Sequence, residues 1–389
     1  MPTAVTDTFD LDAHLPSGIR RRLVDNGNGL TVNLLEAGPA DGEAPCLLLL
    51  HGFPELAFSW RRVMPALAAA GYHVIAPDQR GYGWTTGWTA RFEDDLGPFK
   101  MLNLVQDQLG LLGALGRDRV TAVIGHDFGA PVAAYCGLVR PDVFPAVVCM
   151  SAPFGGPPRL PFGGGTAPTG VAGVAPSIHD DLANLARPRK HYQWYYSTAG
   201  ADADMRLAPQ GLHAFLRAYY HHKSADWAAN KPYPLAGWTA DELAKLPTYY
   251  IMDLDHTMPE AVAPEMPSAA EIAACAWLPD TDLAVYTAAY GANGFQGGLQ
   301  WYRCATGPAM AQEMRVFSGR TLDVPTMFLA GAADWGVYQK PGDYERMQTA
   351  ACTDFRGSHL IGGAGHWVQQ EQPEAVISHL DAFLATLPR

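Results

Sequence analysis

The sequence predicts an α/β protein built on a mostly parallel, doubly wound sheet with an inserted, mainly helical cap. Short, continuous apolar runs suit strands that are buried on both faces, as parallel sheets require. These runs occupy 46–50, 73–77, 120–125 and 145–150. Helix-like stretches at 104–116 and 130–140 lie between runs, and this alternation is typical of parallel α/β sheets.

The first elements are predicted to be two strands around a tight turn. The segment 19–37 contains Asn-Gly pairs, which accept the positive φ angles of tight hairpins. The basic run Arg20-Arg21-Arg22 lies in the same segment. We interpret this run as a solvated strand or helix edge rather than a targeting signal.

A change of amino-acid composition after Pro153 predicts that the sheet domain is interrupted. A Gly- and Pro-rich passage comes first, followed by a stretch dense in Tyr and Trp, which together predict a cap over 154–321. The core domain would then consist of 1–153 and 322–389. The cap segment 231–267 looks extended, and such loops form lids or subunit contacts, so the sequence is compatible with a homodimer.

Composition excludes several classes of function. The 389 residues are 48% hydrophobic, enough for a large core, and the formal net charge of -12 argues against nucleic acid as a partner. No apolar run approaches the roughly 20 residues of a membrane helix. The first residues are acidic where a secretory signal would be basic, so we expect a cytoplasmic protein without membrane contact.

The cysteine and histidine patterns predict neither disulfides nor a metal site. The six cysteines are scattered without CxxC pairing, and several lie in apolar runs, where Cys behaves as a small buried hydrophobe. The adjacent pair His221-His222 has the wrong spacing for one helix face, and HExxH is absent. We expect no metal and no other cofactor.

The segment VIGHDFGA (123–130) has the form of a nucleophile elbow, in which a strand turns sharply into a helix. Small residues flank Asp127 and would let the turn expose its side chain. A carboxylate suits attack on sp³ carbon, because the resulting ester is stable until water cleaves it in a second step. The plainer interpretation is an ordinary turn in which Asp127 caps the helix.

The motif HGFPE (51–55) directly follows a predicted strand and is typical of an oxyanion loop. In folds with a nucleophile elbow, the oxyanion hole combines the amide after the nucleophile with one from an earlier loop. We therefore predict the N–H groups of Phe53 and Phe128 as its donors.

An acid and a histidine follow in the expected order. FLAGAAD (328–334) ends in Asp334, and GGAGHW (362–367) places His366 in a Gly-rich loop. The order nucleophile, acid, histidine matches the α/β-hydrolase fold, in which the acid orients the imidazole base. We predict His366 as the general base and Asp334 as its acid, with Asp323 as the alternative acid.

Together these residues resemble the epoxide hydrolases of the α/β-hydrolase superfamily, from about Ile19 to the C-terminus. In that family two cap tyrosines hydrogen-bond the epoxide oxygen, in stretches similar to 191–205 and 294–303. By position, the resemblance implies Tyr192 and Tyr302. A phenol with a pKa of about 10 can donate to the nascent alkoxide while staying protonated at neutral pH.

Residues near these motifs are candidates for the wall of the substrate pocket: Trp60, His126, Trp84 and Trp367. Trp60 belongs to SWR (59–61), which follows the HGFPE motif. Trp84 follows DQRGYG (78–83), where the family often carries a small acidic or polar residue. This departure is expected to reshape one wall of the pocket.

The resemblance implies a hydrolysis that converts an epoxide to a vicinal diol. Asp127 would form an alkyl-enzyme ester, and water activated by His366 would cleave it. The same fold also contains haloalkane and haloacid dehalogenases, in which Trp or Arg follows the nucleophile, whereas here Phe128 follows it. A binding protein that keeps the fold without turnover is a further alternative.

Overall fold

The computed structural model describes residues 9–40, 42–89, 91–160, 177–307 and 312–387. The strands of this part are β1 (Ile19–Asp25), β2 (Thr31–Ala37), β3 (Cys46–Leu50), β4 (His73–Pro77), β5 (Ala122–His126), β6 (Val147–Met150), β7 (Arg189–His191), β8 (Ile251–Asp253), β9 (Thr326–Gly331) and β10 (Phe355–Ile361). Eight of them form one sheet in the order β1-β2-β4-β3-β5-β6-β9-β10. The pairs β1–β2 and β2–β4 are antiparallel, and all the other pairs are parallel.

The helices of the described residues fall into two sets. Those that pack around the large sheet are α1 (Met64–Ala69), α2 (Met101–Ala114), α3 (Gly129–Val139), α13 (Asp343–Arg346), α14 (Val368–Glu371) and α15 (Pro373–Leu384). Those between β6 and β9 are α4 (Ile178–Ala183), α5 (Tyr192–Tyr196), α6 (Ala201–Arg206), α7 (Leu212–Lys223), α8 (Ala240–Leu243), α9 (Met258–Val262), α10 (Ala269–Ala274), α11 (Asp280–Asn293) and α12 (Gln296–Thr306).

The sheet is doubly wound, as predicted, because its two faces belong to two separate apolar clusters. In β3, Leu48 and Leu50 face one cluster, which includes residues of α2 and α3. Leu47 and Leu49 face the other cluster, which includes residues of α1 and α15. Successive side chains of a strand point to opposite faces, so a wholly apolar strand is buried on both.

Most predicted strands are confirmed. The runs 46–50 and 73–77 coincide with β3 and β4, and every residue of both strands is buried. Strand β10 begins earlier than the predicted 359. Its first residues, including Arg356, are half-buried or exposed at the edge of the sheet, so they form no continuous apolar run.

Residues 154–321 lie between β6 and β9, and we call them the insert; the part of the insert that the structure describes is mainly helical, as predicted. Its short strands β7 and β8 pair antiparallel as a separate two-stranded sheet. Much of the Gly- and Pro-rich passage predicted as a linker, 161–176, lies outside the described residues, as does 308–311. Strand β9 resumes the sheet beside β6, so the sheet is discontinuous in sequence.

The structure shows where the cysteines and the basic run lie, and how long and apolar the described helices are. Five of the six cysteines are buried, Cys275 is half-buried, and all are free thiols. The basic run lies on edge strand β1, where Arg20 and Arg22 reach Glu36 at 3.5 and 3.7 Å. Within the described ranges, no helix combines the length and apolar character needed to cross a membrane.

Candidate active site

The turn between β5 and α3 has the geometry of a nucleophile elbow. Asp127 has φ of 51°, in the left-handed region that residues other than glycine rarely adopt. A Cβ on Gly125 would lie 2.0 Å from the carbonyl oxygen of Gly129, and one on Gly129 would lie 2.3 Å from that of Leu50. Both glycines are therefore required by close packing. Phe128 is the N-cap of α3 and no side chain caps the helix, which removes the capping interpretation of Asp127.

The residues around Asp127 come from loops at the carboxyl ends of parallel strands, which meet at one edge of the sheet. The Phe53 N–H, after β3, donates to Asp127 Oδ1 at 2.9 Å. Gly52 lies so close that a Cβ there would be 2.4 Å from the same oxygen. The structure thus places the predicted oxyanion loop against the carboxylate. Donation by the Phe128 amide stays a prediction.

A histidine and an acid complete the arrangement. His366 Nε2 lies 3.3 Å from Asp127 Oδ2, and its Nδ1 lies 3.1 Å from Asp334 Oδ1. Asp334 Oδ1 also accepts the Gly336 N–H at 2.7 Å, which fixes the carboxylate. The alternative acid, Asp323, instead accepts hydrogen bonds from two threonine hydroxyls on the exposed side of the sheet. The structure therefore brings Asp334, and not Asp323, to the imidazole.

Burial and neighbouring charges act against each other in this arrangement. Burial pushes the pKa of Asp127 up, but the hydrogen bond and charge of His366 outweigh it and hold that pKa far below its usual value. Burial and the Lys223 charge lower the pKa of His366, whereas the charge of Asp334 and the hydrogen bond to Asp127 raise it, with a net increase. Asp127 is therefore an ionised carboxylate at neutral pH.

Two buried tyrosines of the insert lie beside the carboxylate. The rings of Tyr192 and Tyr302 are 5.9 Å apart, and the Tyr302 ring is 5.2 Å from that of Phe128. Burial and the Asp127 charge raise the pKa of both phenols well above 10, so both stay protonated donors. The Tyr192 O–H donates to Gln339 Oε1 at 3.0 Å, and no sequence signal pointed to this partner.

Two of the predicted pocket residues contact other parts of the protein. Trp60 is completely buried in the apolar cluster on the face of the sheet that carries α1 and α15, so the prediction that it binds substrate is wrong. Trp84 packs against Phe9 at 6.2 Å and lies 5.9 Å from the Arg21 guanidinium. These contacts are with the N-terminal part of the chain, and the assignment of Trp84 to the pocket stays a prediction.

His126 and Trp367 support the site rather than line it. His126 Nδ1 lies 2.5 Å from Glu55 Oε2, and its Nε2 lies 2.7 Å from the carbonyl oxygen of His366. The Trp367 indole N–H donates to the Tyr220 carbonyl at 2.8 Å, and the tryptophan is fully buried. The prediction that these two residues bind substrate is therefore replaced by a structural role.

Glu55 belongs to the HGFPE motif, and no function was predicted for it from the sequence. Its carboxylate accepts the Gly52 N–H at 3.0 Å and the Gln369 side-chain N–H at 2.8 Å, besides contacting His126. Burial pushes the pKa of Glu55 up, but the charge and hydrogen bond of His126 bring it below the ordinary 4.5. Glu55 thus ties the oxyanion loop to the elbow and to α14.

We expect Glu55→Gln to lower the free energy of unfolding by about 3 kcal/mol at neutral pH, because it removes the charge of a buried carboxylate that contacts His126 and accepts two N–H groups. The folded-state pKa of Glu55 is depressed, so this stability is present above the unfolded value near 4.5 and is lost as the pH falls. Urea unfolding at pH 7 and pH 4 measures both effects. Glu345→Gln, at an exposed position, is the matched control. An equal loss at the two pH values would contradict the assignment.

The fold and the elbow define an α/β-hydrolase, and comparison with known proteins agrees. The family described as alpha/beta hydrolase fold matches residues 45–373. Epoxide hydrolases B and A of Mycobacterium tuberculosis are 31% and 32% identical to the chain; the matches cover 93% and 94% of it and 97% of each relative. The chain belongs to the epoxide hydrolases of this fold.

Solved structures agree with this assignment. An epoxide hydrolase from an endophytic Streptomyces superimposes with a TM-score of 0.73 at 28% identity, covering 95% of this chain and 96% of that one. Potato (Solanum tuberosum) epoxide hydrolase I superimposes with a TM-score of 0.71 at 27% identity, covering 95% and 100% of the two chains.

Proposed function

We propose that this enzyme hydrolyses epoxides to vicinal diols in two steps, through an ester on Asp127. One observation carries the proposal: an ionised, buried carboxylate lies between an amide donor and an imidazole, beside two protonated phenols. The named activity of the relatives is the same reaction. No cofactor is required, because each proton and each electron pair is supplied by a side chain or by water.

In the first step, the carboxylate of Asp127 attacks a ring carbon and the carbon–oxygen bond of the epoxide breaks. Negative charge develops on the epoxide oxygen, and Tyr192 and Tyr302 donate hydrogen bonds to it. One phenol transfers its proton, so the product is a hydroxyalkyl ester. Before this step Tyr192 must exchange its bond to Gln339 for one to the substrate.

In the second step, His366 takes a proton from water, and the resulting hydroxide attacks the carboxyl carbon of Asp127. The charge that forms on Oδ1 is held by the Phe53 N–H, which is already 2.9 Å from that oxygen, and by the predicted Phe128 N–H. Asp334 stabilises the imidazolium. The tetrahedral intermediate then expels the diol oxygen, which takes the proton back from His366. Asp127 is left as a carboxylic acid, and its proton returns to the phenolate formed in the first step, which restores both groups.

The insert is proposed to act as a cap domain over the core formed by 1–153 and 322–389. It supplies the two phenols, whereas the core supplies the nucleophile, acid and base. Three hydrogen bonds support its seating on the core: Tyr220 Oη to the Pro54 carbonyl at 2.8 Å, Tyr290 Oη to the Glu55 carbonyl at 3.2 Å, and Trp301 Nε1 to the Arg80 carbonyl at 2.9 Å. Its aromatic lining suits aliphatic or aryl epoxides.

A single turnover in ¹⁸O-labelled water tests the ester route. The first diol should carry unlabelled oxygen from Asp127, and the label should appear in the Asp127 carboxylate, as located by mass spectrometry of the peptide. If the first diol contains solvent oxygen while Asp127 stays unlabelled, water attacks the epoxide directly and the proposed route is wrong.

We expect Tyr302→Phe to slow ring opening by about 10²-fold, because the alkoxide loses one of its two donors. Stopped-flow measurement of ester formation with styrene oxide isolates this step from ester hydrolysis, which should change little. Tyr195→Phe is the control, because that hydroxyl donates to Asp204 rather than to the site. Unchanged ring opening in Tyr302→Phe would remove the residue from the mechanism.

A further inference from the structure

A buried lysine lies next to the base and has no role in the mechanism above. Lys223, the last residue of α7, is 3% exposed, although lysine is almost never buried without a charged partner. Its Nζ lies 5.4, 5.8, 5.0 and 5.3 Å from the ring centroids of Tyr219, Tyr249, Tyr250 and Trp367. We call these four rings the aromatic cage. Within the described ranges, no carboxylate reaches salt-bridge distance of Nζ.

The backbone of the same residue holds the loop that carries His366. The His366 N–H donates to the Lys223 carbonyl at 2.9 Å. Gly365 packs so closely that a Cβ there would lie 2.6 Å from this carbonyl oxygen. Trp367, a wall of the aromatic cage, has its ring 4.7 Å from that of His366. Trp367 therefore contacts both the Lys223 ammonium and the His366 imidazole.

We propose that Lys223 is a positioning residue for the base, whose charge opposes protonation of His366 and so favours the form that activates water. The inference rests on the proposed function, in which His366 must be neutral to accept a proton. Lys223 belongs to the insert, so the insert would also affect the second chemical step.

Charge balance explains why a cation is needed there. Two carboxylates, Asp127 and Asp334, flank one imidazole, and by themselves they would favour the imidazolium, which cannot act as a base. The further ring at 5.1 Å, His126, is paired with Glu55. After burial, the Lys223 charge is the next largest influence that lowers the pKa of His366. A cation–π cage can hold such a cation in a dry site without neutralising it.

The test is the pH profile of ester hydrolysis in Lys223→Met, measured by rapid quench after single-turnover alkylation. Removing the cation raises the pKa of His366, so the acid limb of the profile should move to higher pH by about one unit. The rate on the alkaline plateau should change less than the rate at pH 6. Lys223→Arg keeps the charge and should keep the wild-type limb.

Lys190→Met is the matched control, because that ammonium also lies over a tyrosine ring of the insert, Tyr195, at 5.0 Å. Its acid limb should equal that of the wild type. Circular dichroism shows whether each variant is folded, and Lys223→Gln replaces the methionine variant if that one is not. An unmoved acid limb in a folded, uncharged variant, or a loss of rate that is equal at every pH, overturns the proposal.

Failure of the proposed function would look different from failure of this inference. If no ester forms, the wild-type enzyme gives no quenchable adduct and the first diol carries solvent oxygen. If the ester forms and only the role of Lys223 is wrong, the adduct is present and the acid limbs of wild type and Lys223→Met coincide.

Discussion

Asp127→Ala should lower kcat/KM for epoxide hydrolysis by about 10⁴-fold or more, because it removes the atom that bonds to the substrate in the first step. Diol formation from styrene oxide, followed by chromatography, measures the loss. Mass spectrometry of the intact variant after incubation with substrate should detect no adduct. The fold should persist, since alanine keeps the Cβ of Asp127 and removes only the carboxylate.

Asp323→Ala is the matched control for this prediction. Asp323 is likewise a core aspartate and lies just before β9, but its carboxylate accepts hydrogen bonds from the hydroxyls of Thr321 and Thr353. Its activity should stay close to that of the wild type. Residual diol formation by Asp127→Ala within tenfold of the wild type would exclude Asp127 as the nucleophile.

His366→Asn should separate the two chemical steps. The nucleophile and both tyrosines remain, so Asp127 should still be alkylated, whereas hydrolysis loses its base and slows by about 10³-fold or more. The alkyl-enzyme should therefore accumulate, with a mass increase equal to that of the epoxide. Trypsin digestion should locate this increase on the peptide that contains Asp127.

His359→Asn provides the comparison, because His359 stacks on His379 at the edge of the sheet, with ring centroids 4.1 Å apart. That variant should turn over without accumulating an adduct. Steady-state turnover by His366→Asn at the wild-type rate, or the absence of any adduct, would assign water activation to another group.

The structure brings together the catalytic residues that were predicted from local patterns. The elbow at Asp127, the loop with Phe53, and the loops with Asp334 and His366 each directly follow a strand, and parallel strands deliver their carboxyl ends to one edge. The tyrosines required the family resemblance, because the rings of Tyr192 and Tyr302 approach only in the folded insert. Their chemical roles stay proposals.

The errors at Trp60 and His126 share one cause. Trp60 lies close in sequence to the oxyanion loop, yet its side chain points to the opposite face of the sheet. His126 adjoins Asp127, yet successive side chains at the end of a strand point in opposite directions. Nearness in sequence therefore predicted nearness in space only for residues on the same face.

The strands, the elbow and the order of nucleophile, acid and base were determined by the sequence alone, because each depends on periodicity or on glycines within a few residues. Only the tertiary structure decided which acid meets His366, that Glu55 joins His126 across 71 positions, and that four rings from three segments enclose Lys223. These contacts depend on how distant segments pack, and the same residue types occur elsewhere in the chain without forming them.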